Sequence, residues 1–309
     1  MSIQVQSITK TYGSQKALDQ VSFSIQKGEI VGFLGPNGAG KSTMMKILTG
    51  FIPADSGLTS VAGFNIQTQP LEVKRRVGYL PESNPLYPDM YVKEFLRFIG
   101  RLHGLSGAKL SNRVSEMIEV TGLGREQHKR TGALSKGYKQ RVGLAAALIH
   151  DPEVVILDEP TSGFDPNQLV EIRHLIRGLA GKKTVLLSSH ILQEVQAVCQ
   201  RVLILDQGRL VEDAPIDALG SRSKGGIVWL AEFEEDLKQE QLQGIPGIQR
   251  VQALDGKRWH LLSETEKGMA MAISRWAIEQ GITLNGIQKE SRSLEEVFRE
   301  KTGRQHGQP

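Results

Sequence analysis

The chain has 309 residues, 39 % of them hydrophobic, which suits one large domain and a smaller one with ordinary cores. Its net charge of +4, with both signs mixed along the chain, describes a solvated surface and gives no footing for nucleic-acid binding. No apolar run reaches the ~18 residues of a membrane span, the start Met1-Ser2-Ile3-Gln4-Val5-Gln6 has no signal-peptide pattern, and the lone Cys199 can make no intrachain disulfide, so the expectation is a soluble protein of a reducing, cytoplasmic compartment. Cys199, among Val195, Val198 and Val202, reads as core packing and not as a nucleophile.

Ile3–Ile8 and Val21–Ile25 alternate with period two, which predicts half-exposed strands of an antiparallel layer. Between them, Tyr12 fits either a turn residue packed on its neighbours or a flat aromatic platform for a purine; spacing alone favours the turn residue. Glu29–Leu34 reads as a short buried strand. It runs into Gly35-Pro36-Asn37-Gly38-Ala39-Gly40-Lys41-Ser42-Thr43, a full match to G-x-x-x-x-G-K-[ST]. Met44, Met45, Ile47, Leu48 and Phe51 then recur with helical spacing, so a helix starts near Gly40. Strand, glycine loop and helix in this order make a phosphate-binding loop: backbone N–H groups turn inward around an anion, and the helix N-terminus adds its positive dipole end. Lys41 can reach the β- and γ-phosphates, and Ser42 can offer a hydroxyl to Mg²⁺.

Pro53–Gly57 is a turn cluster, and Val77–Leu80 a strand ending at Pro81-Glu82. From Tyr91 the texture changes. Val92, Phe95, Leu96, Ile99 and Leu102 give one amphipathic helix, and Leu110, Val114, Met117 and Ile118 another, so residues about 85–145 read as a helical insertion. Ser135 is placed to cap a helix continued by Val142, Ala145, Ala146 and Ile149. That capped start fits an ordinary helix and a second anion site equally well. Val154–Leu157 has the continuous apolar character of a buried parallel strand and ends in Asp158-Glu159. A carboxylate pair there can serve solubility. It also lies where open α/β sheets bind ligands, and alternation sends the two side chains apart, so one can hold Mg²⁺ while the other faces the reacting atom. Thr184–Ser189 is a further buried strand with His190 at its end, a position open to a site role as much as to a surface one. Val202–Leu205 and Arg209–Val211 predict a hairpin around Asp206-Gln207-Gly208.

Ser221–Gly226 reads as a linker. Beyond it the pattern is strand (227–233), helix (234–243), strand (248–254), strand (258–262), helix (266–280) and strand (282–288), a βαββαβ order that suggests a small ferredoxin-like domain. Ser293-Leu294-Glu295-Glu296 has the pattern of a capping box for a last helix.

Taken together, these motifs resemble the ATPase subunit of ABC transporters. The resemblance covers residues 1 to about 220 and rests on Gly35–Thr43, Glu82, the signature-like Leu134-Ser135-Lys136-Gly137-Tyr138, the pair Asp158-Glu159, the D-loop-like Ser162-Gly163-Phe164-Asp165, and His190, in that family's order. It implies an α/β P-loop NTPase fold of the ABC ATPase type, with a mixed sheet core, an antiparallel β layer and a helical insertion, followed by the α+β ferredoxin-like accessory domain at 221–309. It also implies ATP and Mg²⁺ as ligands. Tyr12 then stacks on adenine, reversing the preference from spacing. Ser42, Glu82 and Asp158 serve Mg²⁺, Glu159 is the general base or water-orienting group, and His190 contacts the γ-phosphate. Ser135 and Gly137 act in trans on ATP held by a second subunit, so a homodimer or a pair with a sister ATPase subunit is implied, working with a multi-span membrane permease at the inner face of the cell membrane.

Lys136 stands where the family has glycine, Tyr138 where it has glutamine, Phe164 where it has leucine, and Glu82 where it has glutamine. The signature form, the run Tyr79–Glu82 and the final Ser293–Phe298 are similar to ATPases of ABC-2 type exporters, including multidrug and gliding-motility-associated systems. In that subgroup the C-terminal domain has regulatory or assembly roles. The rival class is a non-transport ABC ATPase of nucleic-acid maintenance or translation, or a nucleotide-dependent regulatory module. The first of these inserts long coiled coils between phosphate loop and signature, and no sustained heptads occupy that interval here.

Overall fold

A computed structural model of the chain describes residues 1–219, 227–265 and 267–290. The predicted linker at 221–226 and the predicted capping box at Ser293 lie outside these residues. The chain divides into two compact units, Met1–Ile216 and Asp217–Pro309.

The first unit opens with the hairpin β1 (Ile3–Tyr12) and β2 (Gln15–Ile25), followed by β3 (Ile30–Leu34), α1 (Lys41–Leu48), β4 (Ser56–Val61), β5 (Phe64–Asn65), α2 (Pro70–Arg76) and β6 (Val77–Leu80). Then come α3 (Val92–Leu102), α4 (Gly107–Val120), a 3₁₀ turn at Thr131–Ala133 and α5 (Lys136–Leu148). The unit continues with β7 (Val154–Leu157), α6 (Pro166–Arg177), β8 (Thr184–Ser189), α7 (Leu192–Val198), β9 (Arg201–Asp206) and β10 (Arg209–Pro215), with α8 (Ile216–Leu219) at its boundary.

Strands β2-β1-β4-β5 form an antiparallel sheet. The strand pattern of β1 is not a plain alternation. Ser7 adopts φ 49° at a register shift between Val5 and Ile8, and this bulge brings Ile8 to the buried face with Ile3 and Val5. Tyr12 is not a turn residue: it ends β1, paired with Gln15, and Gly13-Ser14 make the turn.

The six-stranded sheet has the order β10-β9-β3-β8-β7-β6. All its pairings are parallel except the edge hairpin β9–β10. Both faces of the central strands are covered: every residue of β3, β7 and β8 is buried, and apolar residues fill them but for Thr184, Ser188 and Ser189 of β8 and Gly32 of β3. The register aligns their C-terminal ends, with Leu34 beside Ser189, Leu157 beside Leu187, and Leu80 beside Leu157. Whatever follows β3, β6, β7 and β8 is therefore delivered to one edge of the sheet.

One apolar cluster joins the two sheets and α1, running from Ile3, Val5 and Ile8 through Phe33, Met44, Met45 and Leu48 to Ile156, Leu186 and Leu205. Phe51, expected on the buried face of the first helix, is 74 % exposed because α1 stops at Leu48. Leu102 closes α3 and is 68 % exposed. Arg113 of α4 donates to the carbonyls of Leu148 and Ile149 at 2.7 and 3.0 Å, satisfying the C-terminal end of α5. Cys199 is buried beside α7, and burial pushes its thiol pKa up, as core packing requires.

The second unit contains β11 (Ile227–Phe233), α9 (Gln239–Leu242), β12 (Ile248–Ala253), β13 (Arg258–Ser263), α10 (Met269–Glu279) and β14 (Leu284–Glu290). Its antiparallel sheet, β12-β13-β11-β14, has the ferredoxin-like arrangement that the βαββαβ order suggested. The first helix is one short turn, not residues 234–243. Glu235 accepts from the Thr283 N–H, and the N–H of the buried Leu237 donates to Gly256, so residues before Lys238 are held in a non-helical path. Phe233, Trp229, Trp259, Ile273 and Trp276 fill this unit's core, with Phe233 and Trp276 edge to face at 6.2 Å.

Candidate functional site: the aligned strand ends

The loop between β3 and α1 wraps tightly because its glycines take conformations closed to other residues. Gly40 has φ 107°, and a Cβ there would fall 2.3 Å from the Ala17 carbonyl of β2. Lys41, buried, folds back to donate to the carbonyls of Gly35 at 2.7 Å and Pro36 at 3.2 Å. Burial lowers its pKa, while the charges of Glu159, Asp158 and Glu82 work in the opposite sense.

The loop opens on a cavity of about 330 Å³ lined by Asn37, Gly38, Gly40, Lys41, Ser42 and Thr43 together with Glu82, Glu159, Ser162 and His190. Residues far apart in sequence thus meet because four strand ends are aligned. Glu159 has φ 49° and is 8 % exposed. Its Oε2 lies 2.9 Å from His190 Nδ1 and its Oε1 3.8 Å from Lys41 Nζ. Burial raises its pKa; the charge and hydrogen bond of His190, then Lys41, pull it back. With Glu159 ionised, Nδ1 carries the proton it donates, which leaves His190 Nε2 for another partner.

The two carboxylates diverge. Asp158 accepts from Ser188 Oγ at 2.6 Å. It lines a second, larger cavity of about 660 Å³, which it shares with Ser42 and Glu82. Ser188 was invisible in the sequence as a site residue: a serine within an apolar strand carries no motif.

The structure does not bring every sequence candidate to this cavity. Tyr12 is 52 % exposed, does not line it, and has Lys10 Nζ 5.7 Å from its ring centre. Leu134 is buried, and Ser135 caps α5 by accepting from the Tyr138 N–H at 3.4 Å. Neither Ser135 nor Gly137 lines this cavity. Gly137 instead packs against the D-loop segment, where a Cβ would sit 3.1 Å from the Phe164 ring. Lys136 Nζ donates to Ser162 Oγ at 3.2 Å, and its methylenes crowd Gly163, which has φ 87°. Asp165 caps α6, accepting from Gln168 N–H at 2.9 Å. The rings of Tyr138 and Phe164 each lie 5.8 Å from the guanidinium carbon of buried Arg141, which also donates to Glu171 at 2.6 Å and to the Thr121 carbonyl at 2.9 Å. The unusual residues Lys136, Tyr138 and Phe164 therefore belong to one packed cluster.

The family model described as ABC transporter matches residues 18–162. The bacitracin transport ATP-binding protein BcrA of Bacillus licheniformis is 39 % identical over 224 residues, 72 % of each chain. The Nod factor export ATP-binding protein I of Ralstonia nicotianae is 32 % identical over 308 residues, 98 % of this chain and 94 % of its own. The chain belongs to the ABC transporter ATP-binding family. A solved dimeric ATP-binding cassette in a post-hydrolysis state, with ADP and Pi bound, matches with a TM-score of 0.65 at 25 % identity, over 69 % of this chain and 98 % of that one. This ABC subunit is an ATP-binding, ATP-hydrolysing protein, and the phosphate cavity at the aligned strand ends suits that chemistry: backbone amides and Lys41 on one side, a carboxylate–imidazole pair on the other. No helix among the described residues is long and apolar enough to cross a membrane.

Proposed function

We propose that this subunit binds MgATP in a composite site between two ATPase subunits and couples hydrolysis to export through a separate multi-span membrane permease. The observation that carries the composite site is the separation within one chain: the phosphate loop, Glu82, Glu159 and His190 share a cavity, while Ser135 and Gly137 do not line it. A second copy, or a sister subunit, would supply those signature groups. Nucleotide occupancy and subunit association are then linked, each favouring the other.

In this reading Lys41 exchanges the Gly35 and Pro36 carbonyls for phosphate oxygens. Tyr12, exposed at the end of β1, offers its ring to adenine. Ser42, Glu82 and Asp158 line one cavity and provide the hard oxygen donors that Mg²⁺ takes alongside substrate phosphates and water. When bound, Mg²⁺ would offset phosphate charge. Glu159 orients or deprotonates the attacking water, and His190, which holds Glu159 through Nδ1, contacts the γ-phosphate through Nε2, an arrangement in which both ring nitrogens donate.

Export and a permease partner rest on what the relatives are named for, bacitracin transport and Nod factor export. The permease would place this subunit at the inner face of the cell membrane. The non-transport reading has less support: α3 and α4 hold 11 and 14 residues, far from a long coiled coil. For residues 221–309 we propose an accessory role, regulatory or in assembly.

Glu159→Gln is expected to retain ATP binding, to lose roughly 10²–10⁴-fold in hydrolysis, and to accumulate as an ATP-loaded dimer in size-exclusion chromatography. Hydrolysis at the wild-type rate would remove the role assigned to Glu159. Affinity capture of the tagged subunit from solubilised membranes is expected to recover a multi-span protein; recovery of ribosomes or DNA in its place would refute the transport assignment.

A further inference from the structure

We propose that Ser188 is a positioning residue for ATP hydrolysis, its single hydroxyl fixing both carboxylates at the end of β7. Ser188 is wholly buried in β8, beside Phe33 of β3 in register. Its Oγ donates to Asp158 Oδ1 at 2.6 Å and accepts from the Glu159 N–H at 2.8 Å. The backbone N–H can only donate, so the hydroxyl proton is committed to Asp158. The result is a directed relay, from the Glu159 amide to the Ser188 hydroxyl to the Asp158 carboxylate.

This relay fixes two things at once. It holds Asp158 as an oriented acceptor in a buried place, where a polar group needs a hydrogen-bond partner. It also secures the backbone of Glu159, which has φ 49°, a conformation that a residue bearing a Cβ adopts only when its surroundings over-determine it. His190 lies just beyond the end of β8. It takes the other end of the same residue, with Nδ1 2.9 Å from Glu159 Oε2. One strand end thus grips Glu159 at its amide and at its carboxylate. The intervening Ser189 serves a different pair: its Oγ donates to Glu194 Oε2 at 2.9 Å, and the same oxygen accepts from Thr161 Oγ1 at 2.6 Å. The two adjacent serines are not redundant.

This inference rests on the roles proposed above for Asp158 and Glu159, and the test separates the two. Ser188→Ala and Ser188→Thr would be made in the full chain and measured beside Glu159→Gln, for kcat and KM of ATP hydrolysis and for affinity of a fluorescent ATP analogue with Mg²⁺ and with EDTA. Ser188→Ala is expected to lose about 10–100-fold in kcat, the usual effect of removing a group that orients a ligand-bearing carboxylate. KM should change far less. Affinity in EDTA should stay at the wild-type value, while the gain on adding Mg²⁺ shrinks. Ser188→Thr, which keeps the hydroxyl, should recover most of the kcat. If Ser188→Ala does not accumulate as folded protein, Ser188→Cys, with a weaker donor of similar size, should give an intermediate kcat. A folded Ser188→Ala or Ser188→Cys that hydrolyses like wild type, with wild-type Mg²⁺ dependence, while Glu159→Gln is inactive, would overturn the positioning role alone. A fully active Glu159→Gln would overturn the reading beneath it.

Discussion

In the role proposed for it, Glu159 acts on water in its ionised form, yet burial favours the protonated form. His190, through charge and hydrogen bond, and then Lys41 oppose that burial. The acid limb of the kcat/KM profile should therefore lie above the ordinary carboxylate value of 4.5. Removing His190 removes the larger of the two downward influences. In His190→Ala the limb should move to higher pH, on top of an overall loss of rate, and a pH–rate profile of steady-state hydrolysis reads both. A limb that stays in place or moves down would separate His190 from the ionisation of Glu159. At this scale the sequence exposes residues embedded in a motif: Lys41 and Ser42 follow from glycine spacing, and Asp158-Glu159 from an apolar run that ends in charge. It hides Ser188, whose partners are set by which strand lies beside β7. It also hides the meeting of Lys136, Tyr138 and Phe164 around Gly163 and Arg141, which requires α5 and the D-loop segment to be packed together.

Elements were legible wherever one periodicity governed them. The buried parallel strands and the two amphipathic helices α3 and α4 emerge from apolar spacing. The bulge at Ser7, the strand character of Tyr12 and the shortening of α9 depend on pairing partners that no local window contains. One contact between elements has a measurable consequence. His103, the C-cap of α3, stacks on His150, just beyond α5, with ring centres 3.7 Å apart and planes 8° from parallel. His150 Nε2 lies 3.2 Å from the Val77 carbonyl, so it is the protonated nitrogen of a neutral ring. Burial pushes the His150 pKa from 6.5 down to about 4, with the charges of His103, Lys183 and Arg113 acting in the same direction, while the bond to Val77 opposes it. The unfolded chain thus binds a proton that the folded chain refuses between these two values, and stability is lost as pH falls through that window. At pH 5 the loss should be on the order of 1 kcal/mol once the solvent-facing part of the ring is allowed for. His150→Phe keeps a stacking ring and cannot titrate. Its melting temperature, whatever its value at pH 7.5, should fall less on acidification to pH 5 than that of the wild type. Parallel falls in circular-dichroism melts would show that this pair does not couple the helical insertion to pH.

For the whole molecule, strand content was readable and strand order was not. Nothing local places β3 between β8 and β9, since parallel neighbours are joined by long crossovers. The apolar clusters bear on how the chain unfolds. One runs from Ile3 to Leu205 and another from Trp229 to Ala277, and they share no residue. All groups lining the cavity at the strand ends, the proposed nucleotide site, belong to the first unit. Calorimetry of the full chain should then resolve two transitions. A nucleotide at about 100 times its Kd adds about 2.7 kcal/mol to whatever it binds. Spread over a unit of this length, that should raise one melting temperature by roughly 5–10 °C and leave the other in place. Phe233→Ala should have the complementary effect. It removes a wholly buried ring from the second cluster, at a cost of about 3–5 kcal/mol, so it should lower or abolish the nucleotide-insensitive transition alone. A single transition that shifts with both ligand and mutation would mean that the two cores fold as one cooperative body.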